Sequence, residues 1–238
     1  MSFLTAEWRD LAILNWEIPP ELLAASVPNG TQLDTWNGRA FVSLVGFRFV
    51  KTRMLKLAVP WHVNFEEVNL RFYVKRSVGG DVRRGVVFIK EIVPRPCVAL
   101  VARCLYNENY VTASMAHSIE RGIRKILVIY DWSLRGKVNS ITVHSDDVFR
   151  ELARDSQAEF TLEHYWGYCR QRNGGTVEYQ VAHPRWQVAA VDDFSVTCDA
   201  VDLYGKELGE HLLSPPDSVF LANGSPVGIG FGRRLSNE

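Results

Sequence analysis

The two-residue alternation of residues 64–76, NFEEVNLRFYVKR, constrains the fold more than any other feature of the sequence. Successive side chains of a β-strand point to opposite faces, so this pattern predicts a strand whose two faces differ in polarity. One face is almost wholly apolar, and the other carries a carboxylate, an amide, a guanidinium and a phenol in turn. The first face consists of Glu66, Val68, Leu70, Phe72 and Val74, and the second of Phe65, Glu67, Asn69, Arg71 and Tyr73.

Short segments of the same kind, separated by turn residues, occur along most of the chain. Asn-Gly within residues 36–39 and Gly-Gly-Asp at 79–81 supply the positive φ angles of tight hairpins. Pro94-Arg95-Pro96 marks a bend, because proline cannot donate a hydrogen bond inside a central ladder. Strands are predicted on both sides of 36–39, at 68–77, 84–93 and 97–105, between 111 and 145 with breaks at Gly122 and Gly136, on both sides of the Asn-Gly-Gly turn 173–175, and near 226–232.

Two segments favour helices. Residues 16–28, WEIPPELLAASVP, have two prolines at the start of the predicted helix and one after its end, where the fixed φ of proline is tolerated. Residues 145–156, SDDVFRELARDS, predict an amphipathic helix with Ser145 as its N-cap and two aspartates in its first turn.

The predicted fold is therefore mainly β with small helical decorations (α+β), as an antiparallel barrel or sandwich. No internal repeat, low-complexity segment or linker divides the 238 residues, so we expect a single domain spanning 1–238. Hydrophobic residues make up 47% of the chain, which is enough to bury a core.

The charge balance excludes several classes of partner. The 27 basic and 27 acidic residues cancel, so the net charge attracts neither nucleic acid nor an anionic membrane. The N-terminal segment carries charges inside its apolar run, and no apolar run reaches the ~18 residues of a membrane span. We expect no signal peptide, no nucleic-acid or membrane partner, and a cytoplasmic protein.

Common catalytic motifs for nucleotides, metalloproteases and hydrolases are missing from the sequence. The six histidines never pair at i, i+2 or i, i+4, and the four cysteines have no Cys-x-x-Cys spacing. We therefore predict reduced, mainly structural thiols, no metal site and no cofactor.

Four segments together resemble the YqjF-like family of uncharacterised conserved proteins. They are residues 3–49, NFEEVNLRFYV at 64–74, GVVFIKEIVPR at 85–95, and HPRW at 183–186. That family is grouped by fold with acetoacetate decarboxylase. The resemblance implies a closed, cone-shaped antiparallel β-barrel around an internal cavity, and it implies no established reaction.

The polar face of residues 64–76 has two interpretations. In a closed cone, one face of each strand points inward, and Glu67, Asn69, Arg71 and Tyr73 would line the cavity. A buried arginine needs a partner, which could be a ligand carboxylate or Glu91 from the neighbouring strand. The alternative is an ordinary solvated strand face.

The resemblance also bears on decarboxylation, which in acetoacetate decarboxylase requires an imine-forming lysine. By ungapped comparison the matching run is ARCLYNENYV, residues 102–111, where Tyr110 takes the place of the lysine and Arg103 precedes Cys104. Tyrosine forms no imine, so we predict no decarboxylation by that route unless Lys90 has taken over. The alternative role for Lys90 is a strand lysine paired with a carboxylate.

We predict a cavity that binds a small apolar carboxylate or keto acid. His183 could act there as an acid, base or hydrogen-bond donor, or instead donate to a backbone carbonyl at a strand end. The alternative function is a structural or interaction barrel filled by its own side chains, and apolar strand faces with few helices to cover them favour a homodimer. The predicted ligand-binding residues are Arg71, Glu67, Asn69, Tyr73, Lys90, Glu91, Arg103, Tyr110 and His183.

Overall fold

The computed structural model describes residues 2–235, except the side chain of Leu105. The predicted domain limits, Met1 and Glu238, lie outside the described residues. Within 2–235 the chain forms fifteen strands and five helices, so the predicted mainly β class is confirmed. The strands are β1 (Leu4–Ile18), β2 (Gln32–Leu33), β3 (Ala40–Met54), β4 (Phe65–Val78), β5 (Asp81–Val93), β6 (Tyr110–Thr112), β7 (Ser114–Gly122), β8 (Lys125–Leu134), β9 (Lys137–Ser145), β10 (Arg150–Glu151), β11 (Trp166–Arg170), β12 (Thr176–Ala182), β13 (Gln187–Thr197), β14 (Ser218–Ile229) and β15 (Arg233–Arg234). The helices are α1 (Glu21–Ala24), α2 (Pro96–Tyr106), α3 (Gln157–Leu162), α4 (Ala200–Tyr204) and α5 (Lys206–His211).

The strands join into one sheet in the order β15-β12-β11-β5-β4-β3-β1-β14-β13-β9-β8-β7. Most neighbours are antiparallel, but β5 runs parallel to both β6 and β11. Strand β12 also pairs with β14, through Val181–Ile229 and Ala182–Gly228. Strand β4 lies inside the sheet, paired with β3 on one side and with β5 on the other.

Strand β4 is buried on both faces. Its apolar face, with Leu70 and Phe72, packs in a core that includes Tyr130 and Trp132 of β8. Its polar face belongs to the other side of the sheet, where Phe65 packs with Phe47 and Phe49 of β3. The apolar face of β4 is therefore covered by β7, β8 and β9 of the same chain.

Most predicted turns are confirmed. Strands β4 and β5 form a hairpin whose register runs to Val78–Asp81, with positive φ at Gly79 and Gly80. Trp36 and Arg39 form a bridge across the Asn-Gly turn, although β2, which precedes it, pairs with β4. The Asn-Gly-Gly turn joins β11 to β12, Gly122 ends β7, and Gly136 lies between β8 and β9. The first helix exists but is reduced to α1.

The predicted strand at 97–105 is wrong, because this segment is the helix α2. Pro96 occupies the first helical turn, where its missing N–H costs nothing, and Asn107 ends the helix in the left-handed conformation. Val98, Val101 and Ala102 recur at helical spacing and face one pocket. That period of three to four residues, together with the helix-favouring residues Ala99, Leu100 and Arg103, favours a helix over a strand.

The predicted helix at 145–156 is also wrong. Ser145 ends β9, and β10 within this segment pairs with β13. Asp146 does not charge a helix N-terminus, because its carboxylate accepts from Arg150 and from the backbone N–H of Ala190. The capping serine is Ser156, which accepts from the backbone N–H of Glu159 at 3.1 Å and begins α3.

The four cysteines are free in the structure. No helix within residues 2–235 is long and apolar enough to cross a membrane.

Candidate functional site

The polar face of β4 is buried, so the interpretation as a solvated strand face is wrong. Glu67 is 2%, Asn69 1%, Arg71 7% and Tyr73 0% exposed. A carboxylate and a guanidinium at this depth lose most of their hydration, which only specific partners could offset.

An inner pocket of about 60 Å³ lies against this face. Its lining combines polar side chains of β4, β5 and β6 with aromatic residues from β1, β3, β11 and the segment between β12 and β13. Six of the predicted site residues line it, and they are Arg71, Glu67, Asn69, Glu91, Tyr110 and His183. The structure thus brings these residues together from four separate parts of the chain, namely β4, β5, β6 and the segment that follows β12.

An outer pocket of about 160 Å³ adjoins the inner one. It is lined mainly by apolar side chains, including Val98, Val101 and Ala102 of α2. The two pockets share five lining residues, namely Phe49, Glu91, Tyr110, Tyr179 and Ile229. A polar inner space and an apolar outer space therefore meet at Glu91 and the two tyrosines.

Three predicted site residues lie elsewhere. Tyr73 is buried beside the pocket lining, where its hydroxyl lies 2.5 Å from Ser43 Oγ. Lys90 points away from the inner pocket and donates to the backbone carbonyl of Leu203. Arg103 is exposed on α2 and lines a different surface pocket.

A β-bulge in β5 decides which residues enter the inner pocket. Leu70 pairs with Lys90 but Arg71 pairs with Phe88, which leaves Ile89 as an extra residue. One extra residue reverses the alternation of side chains along the strand. Phe88 and Glu91 therefore both line the pocket, although in a regular strand they would point to opposite faces. The same shift turns Lys90 to the opposite side.

Arg71 has no hydrogen-bond or ion-pair partner within the described part of the chain, and its guanidinium lies 6.0 Å from the ring centroid of Tyr73. Its Nε is buried without a hydrogen bond, and no ion pair joins its guanidinium to Glu67 or Glu91. The predicted alternative of a structural pair with Glu91 is therefore not what the structure contains.

Other polar atoms of the inner pocket are unpartnered too. Side-chain atoms that are buried and lack a hydrogen bond among residues 2–235 include Trp8 Nε1, Asn69 Oδ1, Glu91 Oε2, Thr161 Oγ1 and His164 Nδ1. All of these residues line the inner pocket. Leaving a buried polar atom unpaired costs about 1–3 kcal/mol, so a molecule that satisfies several of them gains binding free energy.

Three carboxyl groups form a buried cluster around the junction of the pockets. Asn69 Nδ2 donates to Glu67 Oε1 at 2.9 Å, and Tyr110 Oη donates to Glu67 Oε2 at 3.1 Å. Tyr179 Oη donates to Glu108 Oε1 at 2.9 Å. Burial raises the pKa of Glu67 and of Glu108 to about 7 in each case, and burial together with the charges of Glu108 and Glu67 raises the pKa of Glu91 well above its ordinary value.

Tyr179 reaches the carboxyl cluster because its ring packs directly against Gly167 of β11. A Cβ on Gly167 would lie 2.2 Å from Tyr179 Cζ, which is far inside any allowed contact. Gly167 therefore permits the ring to cross β11 and place its hydroxyl on Glu108.

The sequence prediction missed His164 and Asp34. His164 Nε2 lies 3.4 Å from Asp34 Oδ2, and Arg84 Nε donates to the same oxygen at 2.7 Å. Burial lowers the pKa of His164 to about 4, so its imidazole is neutral. Burial acts to raise the pKa of Asp34, but His164 and Arg84 outweigh it and lower that pKa to about 2. No sequence spacing links the three residues, and only folding brings them together.

His183 stacks on Trp186 with ring centroids 4.1 Å apart, and its Nδ1 lies 2.9 Å from the carbonyl oxygen of Pro184. Burial lowers its pKa. Within the described residues, no group of three or more His, Cys, Asp or Glu side chains has the geometry to hold a metal ion.

This architecture is that of the acetoacetate decarboxylase-like proteins. The chain superposes on acetoacetate decarboxylase from Legionella pneumophila with a TM-score of 0.64 at 12% identity, covering 98% of this chain and 87% of that one. An acetoacetate decarboxylase-like enzyme from Sphingomonas wittichii RW1 gives 0.66 at 12% identity, covering 99% and 94%. The enduracididine biosynthesis enzyme MppR complexed with pyruvate gives 0.65 at 11% identity, covering 100% and 92%.

Residues 5–226 match the family of uncharacterised conserved proteins called DUF2071, and the chain belongs to this family. It is also similar to the uncharacterised protein YqjF of Bacillus subtilis (strain 168), with 31% identity over 109 residues. That match spans 45% of this chain and 43% of YqjF, so less than half of the curated relative is covered. The resemblance predicted from the sequence is confirmed.

Proposed function

We propose that this protein binds a small carboxylic acid with an apolar substituent, such as a keto acid. Arg71 carries the proposal, because it is a buried guanidinium that lines a pocket and has no hydrogen-bond or ion-pair partner among the described residues. A planar guanidinium binds a carboxylate through two parallel hydrogen bonds, which would offset its desolvation. The apolar substituent would lie in the outer pocket.

We also infer that the pairing of β12 with β14 closes the strands into a cone. In this arrangement the ladder runs from β14 through β1, β3, β4, β5, β11 and β12 and returns to β14, with both pockets inside. Two observations support the inference. Strands β12 and β14 pair through two residue pairs, and the fold is similar to that of acetoacetate decarboxylase-like proteins. Pyruvate in the related fold of MppR supports a keto acid as the ligand class.

A thermal-shift panel tests the proposal. Short 2-keto acids, 3-keto acids and fatty acids are added to the wild-type protein, with the matching amides as ligand controls. At a concentration 100 times Kd the ligand should stabilise the fold by about 2.7 kcal/mol, which corresponds to about 5–10 °C for a chain of this size. The amides should give no shift, because they cannot form the charged two-point contact.

Arg71→Met should abolish the shift, since it keeps the bulk of the stem and removes the guanidinium. Arg53→Met is the matched control, because Arg53 is an exposed arginine on β3 outside both pockets. Equal stabilisation of wild type and Arg71→Met would contradict the carboxylate site. Absence of any shift in the wild type would favour the alternative, a structural or interaction domain whose interior is filled by its own side chains.

A further inference from the structure

Glu67, Glu91 and Glu108 share one feature that stability alone does not explain. Each is at most 5% exposed, and none of them forms an ion pair with a described residue. The hydrogen-bond donors to Glu67 are the neutral side chains of Asn69 and Tyr110, and the donor to Glu108 is the neutral side chain of Tyr179. Apolar residues would fill the same space at lower cost, so an acid cluster at a pocket is a candidate for proton transfer.

The position of Glu91 relative to Arg71 shows where such a transfer would occur. Arg71 lines only the inner pocket, whereas Glu91 lines both. Asn69, Glu91 and Tyr110 are direct neighbours across β4, β5 and β6. A ligand that runs from Arg71 to the outer pocket must therefore pass Glu91, whose Oε2 has no partner among the described residues.

We propose that Glu67 and Glu91 interconvert the keto and enol forms of a 2-keto acid whose carboxylate is held by Arg71. This inference rests on the proposed function. The Glu67 carboxylate removes a proton from C3, and the electron pair of that C–H bond becomes the C2=C3 double bond. The π pair of the carbonyl group moves to its oxygen, which takes the proton of Glu91. The reverse step restores the keto acid, and no oxidant or reductant is needed.

The surroundings of the two carboxyl groups assign their roles. Glu67 accepts hydrogen bonds from Asn69 and Tyr110 and feels the charge of Arg71, and all three favour its ionised form. Glu91 faces the acidic groups Glu67 and Glu108, which favour its protonated form. Tyr110, Tyr179 and Cys169 are further titratable groups around the pair, and burial raises the pKa of each well above its ordinary value. Burial raises the pKa of both groups, to about 7 for Glu67, and the contacts that oppose this rise at Glu67 make it the base and leave Glu91 as the acid.

Proton exchange provides the test. The purified protein is placed in D₂O with an apolar 2-keto acid such as 4-methyl-2-oxopentanoate, and loss of the C3 proton signal is followed by NMR. Exchange should be faster than in buffer alone. Glu67→Gln and Glu91→Gln should each slow the protein-dependent exchange by about 100-fold or more, because general acid and base catalysis typically contributes about 10²–10⁴-fold.

The two variants should keep the ligand-induced thermal shift, because Arg71 is intact, whereas Arg71→Met should lose both exchange and shift. Glu66→Gln is the matched control, since Glu66 is on the same strand, outside both pockets, and pairs with His117. It should leave exchange unchanged.

Two results would overturn the inference while leaving the proposed function in place. In one, keto acids stabilise the wild type but exchange only at the buffer rate, and in the other, Glu67→Gln exchanges at the wild-type rate. Absence of any thermal shift in the wild type would overturn the proposed function and this inference together. Should Glu67→Gln fail to fold, the wild-type pH profile decides, because exchange must rise with ionisation of a group near pH 7 and a flat profile refutes the assignment.

Discussion

At the scale of single residues, the site combines a buried guanidinium that has no hydrogen-bond or ion-pair partner with buried carboxyl groups that form no ion pair. Arg71 and Glu67 share a strand face, yet they form no ion pair. The field of Arg71 lowers the pKa of Glu67, but burial has the larger effect and raises it. Glu67 keeps its proton more readily than an exposed glutamate, and Arg71 remains free for a ligand.

Arg71→Met should leave the free energy of unfolding of the ligand-free protein unchanged or raise it by up to about 2 kcal/mol. The reason is that an unpaired interior cation carries a desolvation cost, which an apolar side chain of similar length removes. Chemical denaturation without ligand measures this. A fall of about 3 kcal/mol or more would mean that Arg71 compensates a buried carboxylate in the folded protein.

Glu67→Gln should change how stability depends on pH. Burial, opposed by Asn69, Tyr110 and Arg71, raises the pKa of Glu67 from 4.5 to about 7. Between these values the unfolded chain releases a proton that the folded protein retains, so the free energy of unfolding falls with rising pH, by at most about 1.4 kcal/mol per pH unit. Below pH 4.5 this contribution is fully present, and above about pH 7 it is lost.

The variant lacks this dependence, so it should gain stability over the wild type as pH rises from 4.5 to 7. His164, whose pKa burial lowers from 6.5 to about 4, has the opposite effect on stability, but it is present in both proteins and cancels in the difference. Urea denaturation at several pH values gives the comparison. Parallel curves for the two proteins would mean that Glu67 is ionised in the folded protein throughout.

At the scale of elements, the bulge at Ile89 determines which ionisable side chain of β5 lines the inner pocket. Regular pairing would have placed Lys90 on the side of Phe88 and Glu91 on the other. The extra residue reverses this, so an acid lines the inner pocket and the lysine faces Leu203. The helix α2 likewise contributes a wall of the outer pocket because it is a helix and not a strand.

Borohydride trapping with keto acids should therefore yield no stoichiometric adduct, because no lysine of the described residues lines the inner or the outer pocket. Lys90 is the informative position, since burial and the charge of Arg135 lower its pKa. Intact mass followed by peptide mapping measures the product, with borohydride alone as the control. A stable adduct on Lys90 would show that imine chemistry occurs on the opposite side of β5.

At the scale of the whole molecule, β4 is covered on both sides by the chain itself. The β7, β8 and β9 strands pack on its apolar face, so the expected need for a partner subunit to cover that face does not apply here. Apolar exposure is concentrated instead in the connection between β3 and β4, where Leu57 is 71% and Trp61 84% exposed. Such a segment is typical of a surface that another molecule covers.

We still expect a homodimer, now through this connection. Light scattering over a range of concentrations should give twice the chain mass, and Trp61→Ser should shift the equilibrium towards monomer without changing the melting temperature of the monomer. Val138→Ser is the control, because Val138 is 70% exposed in a different part of the molecule. A monomer at every concentration would refute the expectation.

The sequence by itself determined the properties that depend on neighbours along the chain. The alternation of residues 64–76 predicts a strand with one polar and one apolar face, and Gly79-Gly80 predicts the hairpin that follows, since both rest on local backbone geometry. The ungapped sequence comparison also predicts that Tyr110 occupies the position of the imine-forming lysine of acetoacetate decarboxylase, and this stays a prediction. The predictions for 97–105 and 145–156 were wrong because local patterns in these segments are compatible with both helix and strand. Tertiary packing determines which of the two forms.

Only the tertiary structure decided that the polar face of β4 is buried and which groups meet it. An alternating pattern defines two faces but contains no information about what covers either of them. Contacts between distant segments bring Glu108 to the outer pocket, His164 to the inner pocket and Tyr179 to both. The side of β5 to which Glu91 points depends on a one-residue bulge. These placements follow from contacts between distant segments, which the energy of the whole fold selects and no local pattern encodes.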